Sequence, residues 1–271
     1  MFALRYATAI LFTLNLKYGV NLSVSRMSKK NKQKEDKSVP VPQRDKIEGF
    51  LTIRELQWTD NQKKFIQLLQ DKNTKMVFCK GPAGTAKSLL SVYAALNAIN
   101  SKKIGEIFYV RNPVESSSHN LGFLKGDLHS KLDPYLQPLM DKLYELLPKN
   151  QVEMLLKQER VKGLPVGFLR GLSINASYII CDEAQNLSIH DLLLITTRMG
   201  RFSKLILIGD IRQADIKNSG FEKIYNLFDD KKSADKGIYT FKFGREDIMR
   251  NDILAYIIEK FEELHLSLIH I

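Results

Sequence analysis

The stretch Lys80-Gly81-Pro82-Ala83-Gly84-Thr85-Ala86-Lys87-Ser88 joins an apolar run, Met76-Val77-Phe78-Cys79, to a segment, Leu89 to Leu96, whose apolar spacing is helical. Strand, glycine-bearing loop, Lys-Ser and helix together make the layout of a phosphate-binding loop, which commits the chain to an α/β architecture. Successive loop N–H groups and the positive end of the following helix form an anion-binding concavity. In such a loop Gly81, Pro82, Ala83, Gly84, Thr85 and Ala86 cradle phosphate, Lys87 reaches the terminal phosphates and Ser88 ligates Mg²⁺. The strict pattern has glycine at position 86. Alanine fits there if its φ stays helix-like, because the methyl is costly only at positive φ. The structural alternative is a Gly-Pro turn that merely joins a buried strand to a helix.

The rest of the chain sorts into strands and helices that alternate. Thr59 or Asp60 caps a helix with Phe65, Ile66 and Leu69 inward. Ile104 to Val110 reads as a second strand, and 114–135, rich in Ser, Gly and Pro, as a long surface loop. Helical periodicity over Pro138 to Val161 predicts a small helical insertion. Ala176 to Cys181 is a buried strand, followed by a helix over 188–199 with Ser188 as its cap. Lys204 to Ile208 and Ile238 to Phe241 are further strands, and Arg245 to Leu264 a closing amphipathic helix. The expected fold is a doubly wound, mostly parallel sheet of the P-loop NTPase type.

Two further polar motifs fall at strand ends, where ligands bind in open α/β sheets. Asp182-Glu183-Ala184-Gln185 offers one carboxylate to hold Mg²⁺ through water with Ser88. Its neighbour, Glu183, can orient and deprotonate a water. Gly209-Asp210-Ile211-Arg212-Gln213 places Gln213 as a reader of the γ-phosphate. Each motif alone could be an ordinary helix cap or Gly-Asp turn; the three together point to a hydrolytic site for ATP with Mg²⁺.

The 271 residues carry a formal charge of +11, but residues 1–46 hold ten Lys/Arg against three Asp/Glu, so the basicity is mostly a tail. A disordered solubilising segment is the expectation there, ahead of a nucleic-acid arm. Residues 1–26 hold an apolar run too short and interrupted to span a membrane. They read as an over-long gene start before Met27, with a targeting segment as the alternative. The globular domain is expected over 47–264, with 265–271 a tail of no assigned function. Cys79 and Cys181 read as buried reduced thiols of a cytoplasmic protein, and no histidine spacing suggests a metal site.

From Thr59 to Phe261 the chain resembles the PhoH-like family of ATPases, common in bacteria and their phages. The matching stretches include Gln62-Lys63, Gly81 to Thr85, Arg111-Asn112-Pro113-Val114-Glu115 and Leu121 to Leu128. They continue through Phe168-Leu169-Arg170-Gly171, Asp182 to Asn186, Thr197-Arg198-Met199-Gly200, Gly209-Asp210 with Gln213, and Asp247-Ile248-Met249-Arg250. The family is similar to the ATPase core of superfamily-one helicases, which implies that Gln62 recognises adenine. A P-loop hydrolase also needs a cation at the developing charge; Arg111, Arg170, Arg198 and Arg250 are the candidates, in cis or across a homo-oligomer interface. The resemblance implies an ATPase. The alternatives are a translocase or helicase stimulated by single-stranded RNA or DNA, and a nucleotide-gated interaction module with little turnover. A small-molecule kinase fits less well, since Glu183 stands where a kinase must exclude water.

Overall fold

The computed structural model describes residues 49–112 and 128–249, with Tyr256 and Lys260; at 128–132 and 134 it describes the backbone alone. The basic segment 1–46, the stretch 113–127, Arg250 and the tail 265–271 lie outside the described residues, as does the expected closing helix beyond Met249 apart from those two positions. All described residues fall within one compact unit, 40–271.

Helix α1 (Asp60–Gln70) opens on a capping box: the Thr59 hydroxyl accepts from the Gln62 N–H, and the Thr59 N–H donates to the Gln62 side chain. Its inner face buries Phe65, Ile66 and Leu69, each contributing about 1.5–3 kcal/mol. Then come β1 (Met76–Lys80), α2 (Lys87–Asn100), β2 (Glu106–Arg111), α3 (Leu128–Leu146), α4 (Lys149–Lys157) and β3 (Val161–Pro165). The chain continues through β4 (Ser177–Cys181), α5 (Ile189–Thr196), β5 (Lys204–Gly209), α6 (Phe221–Leu227), α7 (Lys231–Ala234) and β6 (Ile238–Lys242).

These strands form one sheet in the order β3-β2-β4-β5-β1-β6, and every described pairing is parallel. Parallel sheets need both faces covered, and two cores do this. Val77 and Cys79 of β1 join Phe65, Leu90, Leu96 and Leu139 on one face, while Met76 and Phe78 join Leu192, Ile195 and Phe221 on the other. Cys79 and Cys181 are free and fully buried, and burial pushes both thiols well above the usual range. Among the described residues no helix is long and apolar enough to cross a membrane.

Three expectations need correcting. Residues 128–135, read as the end of a surface loop, form the first turns of α3 despite Pro134 and Pro138. Packing of α3 on β2 and β3, with Leu139, Leu143 and Leu146 buried, overrides the proline signal. Val161, placed at the end of a helical insertion, instead opens strand β3 (Val161–Pro165), whose remaining residues carry no assignment from the sequence. It lies at a sheet edge, where a terminal proline is tolerated, and a side chain at Gly163 would meet the Leu136 Cα at 2.6 Å. Arg245–Asp247 is a single 3₁₀ turn capped through Asp247 rather than the start of a long helix.

Candidate active site

The phosphate-type loop leaves the carboxyl end of β1 between its two sheet neighbours. Gly81 N–H donates to Gly209 O of β5, and Phe243 N–H, just past β6, donates to Lys80 O. A side chain at Gly81 would lie 2.6 Å from the Phe243 Cβ, so only glycine passes there. The loop is bolted from outside by Gln62, fully buried, whose amide donates to Thr85 O and Asp247 O. Within the loop the Thr85 hydroxyl donates to Pro82 O, and the Lys87 ammonium reaches Gly81 O at 2.8 Å, Pro82 O at 2.7 Å and Thr85 Oγ1 at 3.3 Å. Burial pushes Lys87 below the usual lysine range, opposed by the charges of Asp210, Asp182 and Glu183.

Ala86 departs from expectation. Its φ is 61° and ψ 19°, left-handed rather than helix-like, because the chain must turn sharply to feed Lys87 and Ser88 into α2. That conformation costs an L-residue about 1–2 kcal/mol, partly offset by the ~0.5–1 kcal/mol of extra freedom glycine loses on folding. Ala86→Gly should therefore stabilise the protein by about 0.5–1 kcal/mol, raising the melting midpoint by roughly 1–4 °C. A lower midpoint in differential scanning calorimetry would contradict this backbone assignment.

The acidic pair meets the loop across the sheet. Since β5 separates β1 from β4, the two motifs stand two strand spacings apart, about 9–10 Å, and the first turn of α2 closes the gap. Ser88 Oγ donates to Asp182 Oδ1 at 2.8 Å. The other Asp182 oxygen accepts from the buried Tyr109 hydroxyl, a phenol whose ionisation burial, and then the Asp182 charge, pushes well above the usual range. Tyr109 was not singled out in the sequence, where an aromatic inside an apolar strand reads as core.

Glu183 is held in a left-handed conformation, φ 55°. Its carboxylate accepts from Arg111 Nη2 at 3.4 Å and from Gln185 Nε2 at 2.6 Å. Such conformations in non-glycine residues persist where surrounding contacts enforce them, and here the enforcement comes from Gln185. Its own oxygen accepts from the Asp210 N–H at 3.1 Å, tying the ends of β4 and β5 together.

Between these groups lies a cavity of about 670 Å³ whose lining includes Trp58, Gly84, Lys87, Ser88, Glu183 and Gln213. The structure thus brings together the loop, Asp182, Glu183 and Gln213 on one opening, with Arg111 behind Glu183. It does not bring in Gln62, whose amide is taken up inside the fold. Arg170 is exposed outside the lining, and Arg198 turns instead to Leu172 O and Thr197 Oγ1. Trp58, edge-on to Tyr93 with centroids 5.6 Å apart, is a further lining residue that sequence reading passed over.

Residues 56–262 match the family model described as PhoH-like protein. A PhoH-like protein of Synechocystis is 32% identical over 207 residues, covering 75% of this chain and 61% of the relative. One from Bacillus subtilis is 32% identical over 238 residues, covering 83% of this chain and 73% of its own. Protein PhoH of Escherichia coli is 29% identical over 237 residues, covering 83% and 66% respectively. The chain thus spans about three fifths of the length of the Synechocystis relative and two thirds or somewhat more of the other two.

Proposed function

The chain belongs to the PhoH-like family, with a parallel α/β fold of the P-loop NTPase type, and we propose from that premise that its cleft binds ATP with Mg²⁺ and hydrolyses it. The observation that carries the reading is the 2.8 Å hydrogen bond from Ser88 to Asp182. It joins the phosphate loop to the acidic strand end and sets a hydroxyl and a carboxylate side by side, the oxygen donors that Mg²⁺ prefers. A cavity of about 670 Å³ falls within the range of nucleotide-sized sites, ~300–1,000 Å³.

Bound there, Mg²⁺ supplies charge neutralisation at the transferring phosphate. The chain's own residues do the rest. Lys87 swings its ammonium from the loop carbonyls to the terminal phosphates, and loop N–H groups hold their oxygens. Glu183 accepts a proton from water as the water oxygen bonds to the γ-phosphorus. The bond to the β–γ bridging oxygen breaks, leaving ADP and phosphate. Arg111 holds Glu183 in place and adds positive charge beside it. Gln213, at the mouth, senses the γ-phosphate, and Trp58 offers an apolar wall to the base.

A double-mutant cycle tests whether loop and acidic strand act as one Mg²⁺ site. Ser88→Ala and Asp182→Asn should each lower kcat/KM for ATP by at least about tenfold, and the double variant should be scarcely worse than the poorer single one. Losses that multiply would separate the two residues and sink the reading.

A further inference from the structure

At the opposite end of the sheet is a second cavity, of about 700 Å³. It opens at the amino-terminal strand ends, one strand length or roughly 17–20 Å from the phosphate loop. Its floor is apolar, with Leu69, Ala94, Ala98, Ile104 and Tyr178 among the lining. Its rim is cationic: Lys72, Lys75, Lys103, Arg201 and Lys204 face a single carboxylate, Asp71. Among the described residues no ion pair engages any of these five cations. Lys204 donates to Leu69 O and Asp71 O and lies over the Tyr178 ring. Burial pushes it down to about 8; Asp71 opposes this and Lys103 adds to it. Like charges so gathered repel one another, and an anion relieves that repulsion.

Two further features point to a ligand. The Thr74 side chain lines the cavity, is 2% exposed, and its hydroxyl has no hydrogen-bond partner; buried polar groups are normally paired. Phe202 is 70% exposed at the mouth and held at φ 61°, a left-handed conformation that a large side chain adopts only under constraint.

We propose that this cavity is a second site, distinct from the ATP cleft, which takes a nucleotide phosphate. The phosphate sits on the Lys75–Lys103–Arg201 rim and one base lies over the apolar floor; where the ligand is a strand, the neighbouring base stacks on Phe202. A nucleotide joins an anionic phosphate to a flat ring within one unit, matching a cationic rim beside an apolar floor, and a membrane surface meets a protruding basic face better than a concave one. The ligand comes either as a free nucleotide or as a unit of a single strand, and the test separates the two. The site stands independently of the hydrolysis proposed for the cleft.

The test uses the full chain carrying Lys87→Ala, so that the ATP cleft does not compete. A fluorescent short oligothymidine is titrated by anisotropy and uridine monophosphate by calorimetry. Lys75→Glu with Lys103→Glu should weaken binding by at least about tenfold and flatten the salt dependence of oligothymidine binding by roughly one to two log units per log unit. Phe202→Ala should weaken it about fivefold or more. Lys29→Glu with Lys30→Glu, in the basic amino-terminal segment, serves as the control and should change affinity less than about threefold, since the binding proposed is to the cavity's own rim cations. Unfolding midpoints check integrity; if the glutamate pair destabilises, Lys72→Ala with Arg201→Ala replaces it. Binding of both ligands assigns a free-nucleotide pocket, and binding of oligothymidine alone assigns a strand unit. The site is overturned if neither ligand binds, if the cavity variants bind like the parent, or if the loss follows the Lys29/Lys30 pair instead.

Discussion

Lys87→Ala should lower the affinity for ATP by more than about a hundredfold and bring turnover to background. Lys87 is 9% exposed and its ammonium is ringed by three loop oxygens, so no solvent cation can stand in for it with the same geometry. Each charge-assisted hydrogen bond to a phosphate contributes about 1.5–3 kcal/mol. Losing two of them gives a factor of roughly 10²–10⁴. The folded state should survive, because desolvation of the buried ammonium already cancels much of what its loop contacts contribute. Lys87→Arg should not rescue binding, since a planar fork is bulkier than a point charge in a loop this tight. Isothermal titration with ATP measures the loss. Affinity within about threefold of the parent would remove Lys87 from the phosphate site.

Glu183→Gln should separate binding from chemistry. The exchange keeps shape and volume, and an amide tolerates the left-handed backbone at 183 no worse than the carboxylate does. What it removes is the basicity needed to take a proton from water, a contribution of about 10²–10⁴ in rate. Arg111 loses its anionic partner, but both side chains of that pair are about one third exposed, so the structural cost should be small. ATP affinity should stay within about threefold while turnover falls by at least about a hundredfold. The αL conformation and the Gln185 clamp give the reason: they fix the carboxylate at the rim of the cleft, where a water can be placed between it and the phosphate.

The parts of this architecture most legible in the sequence are those set by local chemistry. The phosphate loop is spelled out in consecutive residues. The caps at Thr59 and Ser188 lie three residues from their partners. Strands β4 and β5 read as continuous apolar runs because both of their faces are buried. What escaped is set by non-local packing. Val161–Pro165 carries Gly and Pro, and only its edge position beside β2, under α3, makes it a strand. Local pattern could not place β5 between β1 and β4, which puts Gly209 against Gly81 and lets Gln185 bridge two strand ends. The sign of φ at Ala86 comes from loop closure and not from residue type. Gln62, which the family resemblance suggests for adenine, donates its amide to Thr85 O and Asp247 O, contacts that only the folded chain brings within reach. The lysines of the second cavity are scattered from 72 to 204, and only the turns before β1, β2 and β5 bring them to one rim.

A hydrolytic cleft requires that Glu183 activate the attacking water. Phosphate release from Mg²⁺-ATP under single-turnover conditions tests it most directly, with parent and Glu183→Gln measured side by side at saturating protein. The predicted result is release by the parent and, from equally well-bound ATP, release at least about a hundredfold slower by the variant. A parent that binds ATP but releases no phosphate, or a variant that keeps the parent's rate, would contradict it.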